Sequence, residues 1–189
     1  MKKERLSAVE EVEKFGNLRL IKPEQNCVES YYNACKESYN DTPHKYIIHN
    51  PGEYNQWKDT IILDYENSEK GINLPEGFVP STTLWLCDGT EYLGTVNIRH
   101  RLTPALENFG GHVGVFLRTS ARGKGLGRVI SDLAVRETKK MLNDKPILIT
   151  CLKRNTRAVE SVRRYNIIKE ETEVTEADGN VEEVVRFWL

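Results

Sequence analysis

Residues 113–128 read Val-Gly-Val-Phe-Leu-Arg-Thr-Ser-Ala-Arg-Gly-Lys-Gly-Leu-Gly-Arg, a strand running into a glycine-rich turn that opens a long helix. The chemistry of such a turn is anion binding. The first amides of a helix have no internal partner, and the helix dipole makes that end partly positive. Gly123, Gly125 and Gly127 clear side chains from the approach to those amides, with Leu126 between them, while Arg122, Lys124 and Arg128 add neutralising charge. A phosphate or pyrophosphate suits this arrangement. The spacing is not that of a Walker loop, which needs GxxxxGK followed by Ser or Thr. A dinucleotide fingerprint fails as well, because its third glycine would fall at Arg128.

Three further groups are candidates for chemistry. His112 opens the strand that leads into the turn, and an imidazole with an ordinary pKa of about 6.5 suits proton acceptance near neutrality; the alternative is a histidine bonded to a neighbouring turn. Arg99 and His100, followed by Arg101, end the preceding strand. Such a group favours an acceptor that carries a carboxylate or phosphate, with solvated surface as the plain alternative. Glu107 is a candidate amine-binding carboxylate. Cys27, Cys35, Cys87 and Cys151 form no CxxC pair, so neither a metal site nor a disulfide framework is expected.

These residues need elements to position them. Asn17 to Ile21 reads as a strand, Glu24 to Tyr39 as a helix, and Glu53 to about Ser68 as a second helix with Trp57, Ile61, Ile62 and Tyr65 at helical spacing. A weak apolar pattern at Leu6, Val9 and Val12 suggests a short helix before them. Thr83–Cys87 and Tyr92–Arg99 flank the turn Asp88-Gly89-Thr90 and predict an antiparallel hairpin. His112–Leu117, Arg122–Leu142 and Pro146–Cys151 then form a strand–helix–strand crossover, expected to be parallel and right-handed. A helix over Asn155–Tyr165, capped by Asn155, and a hairpin of Ile168–Thr175 with Val181–Trp188 complete the chain. The fold class is α/β with a mixed, mostly antiparallel sheet.

The bulk numbers constrain the setting. The 189 residues predict one compact domain over 1–189, and a net charge of -1 gives no global electrostatic case for nucleic acid. The cationic run Lys153, Arg154, Arg157, Arg163 and Arg164 lacks interleaved aromatics and reads as a solvated helix face. No stretch approaches the roughly 20 apolar residues of a membrane span, and the opening residues carry no secretory signal, so a cytoplasmic protein is expected. The apolar edge Val184–Leu189 is suited to pairing across a homodimer.

The turn at 122–128 resembles the acetyl-CoA signature of the GNAT superfamily of N-acetyltransferases, with Arg122, Gly125 and Gly127 at its defining positions. The resemblance extends to Ile149-Thr150-Cys151 followed by Asn155 and Ala158, similar to the family's second element beside the pantetheine arm. The stretch 74–86, with Asn97–His100 and Gly110–Gly114, also resembles a group of bacterial acetyltransferases of this superfamily. The resemblance implies a GNAT-like fold with one crossover and a splayed cofactor cleft, acetyl-CoA as cofactor, and transfer of acetyl to a primary amine of a small molecule or peptide. It further implies that backbone groups of Val115 and Leu117 contact the acetyl and pantetheine portions. The family often places a proton-donating tyrosine where this chain has Val162; Tyr165, three residues on, could reach a neighbouring volume, with a core or rim tyrosine as the plain alternative. That departure keeps a second reading open, a catalytically idle acyl-CoA-binding sensor or interaction module.

Overall fold

A computed structural model describes residues 17–39, 48–177 and 180–189. The helix suggested by Leu6, Val9 and Val12, and part of the Asp178–Asn180 turn, lie outside the described residues. Among these residues seven strands and six α-helices follow in chain order: β1 (Leu18–Ile21), α1 (Val28–Ser38), α2 (Tyr54–Trp57), α3 (Ile61–Lys70), β2 (Ser81–Asp88), β3 (Glu91–Arg99), α4 (Pro104–Asn108), β4 (Val113–Leu117), α5 (Leu126–Met141), β5 (Leu148–Leu152), α6 (Thr156–Val162), β6 (Lys169–Ala177) and β7 (Asn180–Trp188). Among these described residues no helix is long and apolar enough to cross a membrane.

The strands form two antiparallel ladders, β1-β2-β3-β4 and β5-β7-β6. Alternation along β2 and β3 gives the first sheet two different faces. Leu86, Val96 and Ile98 face α5, where Leu126, Val129, Ile130 and Leu133 recur at helical spacing and join Ile149, Phe187 and Val159 in one core. On the opposite face Trp85, Tyr92 and Phe116 pack beneath α1, α2 and α3 with Tyr31, Trp57 and Ile61. Tyr31 stacks on Trp85 at 4.7 Å between ring centroids and meets Tyr92 edge-on at 5.0 Å, both favourable aromatic geometries.

Two local departures from the sequence reading have visible causes. The long helix expected over 53–68 is two helices, because Thr60 starts a new one: its backbone N–H bonds Trp57 O and its hydroxyl donates to Asp64 at 2.8 Å. The helix α4 was not expected, although its signal is present: Pro104 sits in the first turn and the Thr103 hydroxyl accepts from Leu106 N–H.

The crossover β4–α5–β5 joins the two sheets, whose backbones pair at His112 and Leu148, with Gly110 N–H also donating to the Thr150 hydroxyl at 2.9 Å. His112 N–H donates to Leu148 O at 2.8 Å, and the His112 Nδ1 accepts from Leu148 N–H, also at 2.8 Å. Both strands start from this junction, and no ladder joins them beyond it. The preceding Gly111 lies at φ +59°, and a Cβ there would stand 2.5 Å from Leu148 O. The edge Val184–Leu189, expected to be available to a second copy, is instead interior: β7 is flanked by β5 and β6, because both neighbours satisfy its hydrogen bonds. The expected cost of Gly111→Ala is about 3 kcal/mol from the left-handed backbone and the overlap together. A urea midpoint equal to that of the wild type would show that the junction tolerates a side chain.

Candidate functional site

Because β4 and β5 part, each presents an unpaired edge to the other. Arg99 N–H bonds His112 O and Arg118 N–H bonds Leu93 O, so the even-numbered residues of β4 bond to β3. Val113, Val115 and Leu117 therefore turn their backbone groups toward β5. On β5, Ile147 exchanges bonds with Leu189 and Lys153 N–H bonds Glu183 O, which leaves the backbone groups of Thr150 and Leu152 facing β4. The space between holds a cavity of about 570 Å³ lined by Val113, Gly114, Val115, Ile149–Leu152, Ser131 and Ala134 of α5, and Asn155, Ala158, Val162 and Tyr165. Donors facing a cleft are what an extended amide-bearing ligand requires.

The glycine turn lies beside this cleft. Ser131 lines the cavity and donates to Gly127 O at 2.8 Å, one helical turn back toward the start of α5. Gly125 adopts φ +83° as the residue before α5 and no side chain caps the helix; Arg128 N–H bonds Gly125 O at 3.2 Å, and no described side chain takes the amides before it. Arg122, Gly123, Lys124, Gly125, Gly127 and Arg128 are exposed, whereas Leu126 is buried as the anchor of the helix in the core. Arg122 Nε donates to Leu117 O at 3.1 Å, which uses that carbonyl internally.

Tertiary contacts fix the turn from behind. The Glu37 carboxylate accepts from Arg118 Nε and Nη2, from Ser120 Oγ, and from Ser120 N–H. Partial burial opposes ionisation, yet these bonds from Arg118 and Ser120 hold the Glu37 carboxyl below its ordinary value. The neighbouring Ser38 hydroxyl accepts from Thr119 N–H at 3.2 Å. The C-terminal end of α1 thus positions the strand-to-turn segment, a role with no sequence signal because Glu37 and Ser120 are 83 residues apart.

At its other end the cleft opens on a second cavity of about 780 Å³, with Arg99, Phe109 and Gly110 shared by both. Its floor is a polar face of the first sheet, Ser81, Thr83, Thr95, Asn97 and Arg99. Its walls include His49, Asp64 and Tyr65. Asn97 donates to Ser81 Oγ and Thr83 Oγ1, and Arg99 Nη1 donates to Gly110 O and Gly111 O, each at 3.0 Å.

Several expected site residues lie elsewhere. His112 lines neither cavity. A neutral imidazole has one acceptor nitrogen, and that of His112 is taken by Leu148 N–H, so the residue expected to be the base instead joins the two sheets. His100 follows Arg99 by one residue and points to the opposite sheet face, where its Nε2 meets the Thr82 hydroxyl at 2.8 Å. Glu107 is exposed on α4 outside both cavities. Tyr165 does line the cleft, but its hydroxyl donates to Asp132, and burial together with that carboxylate raises its pKa far above the ordinary phenol value. Of the cationic run, Lys153, Arg154, Arg163 and Arg164 pair with Glu183, Glu182, Glu170 and Asp132.

The sequence matches no protein-family model and no curated protein. The fold, however, is that of the GNAT N-acetyltransferases. It is similar to mutant forms of the spermidine/spermine N-acetyltransferase SpeG from Vibrio cholerae (TM-score 0.59, 14% identity, 92% of this chain and 93% of that one). It is also similar to the microcin C7 self-immunity acetyltransferase MccE solved with acetyl-CoA and AMP (TM-score 0.60, 13% identity, 92% of each chain). A third neighbour, described as a probable acetyltransferase, superposes at TM-score 0.64 with 12% identity over 92% of each chain.

Burial, reinforced by Arg99, lowers the His112 pKa. The folded state therefore binds this proton less readily than the unfolded chain, and the junction's contribution to stability is complete above about pH 6.5 and lost as pH falls below it. Protonation would also set two donors against each other at Leu148. His112→Asn, whose Oδ1 accepts without titrating, is expected to fold with reduced acid sensitivity between pH 7 and 5. His112→Ala loses the bond at every pH, about 1–3 kcal/mol. Thermal unfolding across that range checks both; an unaltered acid slope in His112→Asn would remove His112 from the account.

Proposed function

We propose that this protein is an N-acetyltransferase that takes acetyl from acetyl-CoA and delivers it to a primary amine of a small molecule or peptide. The observation that carries this reading is the adjacency of three features: a glycine-rich helix start with no side-chain cap, the parted strands with inward-facing amides, and a separate polar cavity that meets the cleft at Arg99. The first suits a pyrophosphate, the second an extended pantetheine arm, and the third an acceptor. Nothing on Gly123 stands in the way: a Cβ there would meet no atom within 4 Å. Asn155, whose Oδ1 accepts from Ala158 N–H at 3.2 Å, and Ala158 itself border the same cleft.

When bound, acetyl-CoA supplies an acyl group activated as a thioester. In the net reaction the amine forms a C–N bond, the C–S bond breaks, and the proton lost by the amine ends on the thiol. The Val115 N–H is the chain's candidate donor for the charge that collects on a carbonyl oxygen, an effect of about 3 kcal/mol per donor in other acyl-transfer sites. A thiol with a pKa near 8.5 leaves without an acid, so a Tyr165 hydroxyl committed to Asp132 is compatible with turnover.

For the proton that the amine loses, His49 replaces His112. Of the three described histidines, it alone lines either of these two cavities. Burial lowers its pKa, which keeps it neutral at pH 7. Its Nδ1 lies 2.8 Å from the Tyr31 hydroxyl. That hydroxyl also accepts from His49 N–H at 3.1 Å and from the Tyr65 hydroxyl at 3.4 Å; in the tautomer that carries its proton on Nδ1, Nε2 is left to accept.

Three measurements test this function. Gly125→Glu puts bulk, charge and backbone strain at the helix start, and is expected to weaken coenzyme A binding by at least about 100-fold by calorimetry; unchanged affinity would remove the turn as the site. His49→Gln is expected to lower kcat/KM by about 100-fold and to flatten the fall in rate toward acid pH. A pH profile that keeps its acid limb would exclude His49 as the base. Release of coenzyme A thiol over a panel of amines separates catalysis from binding: tight cofactor binding with no release would mark an acyl-CoA-binding module.

A further inference from the structure

The second cavity is chemically specific in one respect, its charge. Among the described residues that line it, Arg99 is the sole Lys or Arg side chain and Asp64 the sole carboxylate. We infer that the acceptor is a zwitterionic amino acid, whose carboxylate is bound by Arg99 where the two cavities meet. This assignment rests on the acyl-transfer reading and narrows it to one class of amine.

Arg99 has the properties of a preorganised carboxylate receptor. A guanidinium carries five N–H donors, and here the two on Nη1 are spent on Gly110 O and Gly111 O. That leaves Nε–H and the two donors of Nη2, the edge that grips a carboxylate with two parallel bonds. The side chain lines both cavities, so a ligand in either can meet it. Anchored at one nitrogen, the fork loses little further freedom on binding. No described carboxylate pairs with it, whereas Arg118, Arg154, Arg163 and Arg186 each face one or more. Burial accordingly depresses its pKa with no compensating negative charge.

The surroundings fit the same ligand. Thr95, Asn97 and Arg99 lie on one face of β3 at alternate positions, so the floor offers hydroxyls and an amide beside the guanidinium. Asp64 supplies one negative charge for one ammonium. A polyamine places several positive charges in the site, and a described lining with a single carboxylate and a fixed guanidinium opposes that charge pattern. The cavity is thus complementary to one positive and one negative charge, not to a polycation.

The test compares acceptors matched in their amine: each of the twenty amino acids against its methyl ester, with spermidine alongside, in thiol-release assays on the intact protein. One or more acids are expected to exceed their esters in kcat/KM by about 100-fold, the range for a lost charge-assisted bidentate contact. Arg99→Gln is then expected to lower the rate for the acid at least ten times more than the rate for the ester. Esters or spermidine that match or surpass every acid overturn the assignment while leaving acyl transfer intact. Equal losses for acid and ester in Arg99→Gln overturn it too, since they mark Arg99 as a clamp on Gly110 and Gly111 alone. Failure of coenzyme A itself to bind the wild-type protein overturns the acyl-transfer reading, and this assignment with it. The wild-type comparison stands even if Arg99→Gln does not fold.

Discussion

Two antiparallel sheets are held together at the centre of this protein by the paired hydrogen bonds between His112 and Leu148, and the site exists because that pairing stops there. A strand edge left unpaired in a protein interior carries amides and carbonyls that must find partners elsewhere. Here the imidazole takes the place of a backbone carbonyl for Leu148 N–H, which completes the junction with a side chain rather than with another β residue. Gly110 and Gly111 bring the chain close enough for this. Beyond the junction the edges of β4 and β5 face a cleft, and their unfilled backbone groups are available to a ligand.

The remaining architecture serves to orient what surrounds this gap. The apolar stripe of α5 packs against one face of the first sheet and aims the helix start past the end of β4. The aromatic cluster on the other face seats α1, and α1 in turn secures the segment before the glycine turn through Glu37 and Ser38. A partly buried charge-assisted contact of this kind is worth more than a surface ion pair, because fewer water molecules compete for it. The exposed pairs along β5–β7, such as Lys153 with Glu183, contribute little to stability but neutralise a cationic run.

The polar floor of the second cavity follows from strand alternation. Ser81, Thr83, Thr95 and Asn97 occupy the same sheet face as Trp85 and Phe116, so one surface is aromatic at one end and hydrophilic at the other. The N-terminal helices cover the aromatic end. The hydrophilic end stays open to a ligand, and Arg99 marks its border with the cleft. The sheet thereby separates an aromatic packing end from a polar, cavity-lining end along two strands.

Local sequence sufficed for whatever depends on neighbours in the chain. Hydrophobic period placed β2, β3, α5 and β5, turn residues placed the hairpins, and the glycines at 123, 125 and 127 marked the turn into a helix start, because these features arise from backbone sterics within about a dozen residues. The period-two rule would also have separated His100 from Arg99. Tertiary structure alone decided the rest: that His112 bonds Leu148 rather than a substrate, that Glu37 supports a turn 83 residues away, and that His49 and Asp64 share a cavity with Arg99. A side chain's chemical role depends on which groups compete for its lone pairs and donors. Those competitors come from distant parts of the chain, brought together only when the two sheets and their helices pack.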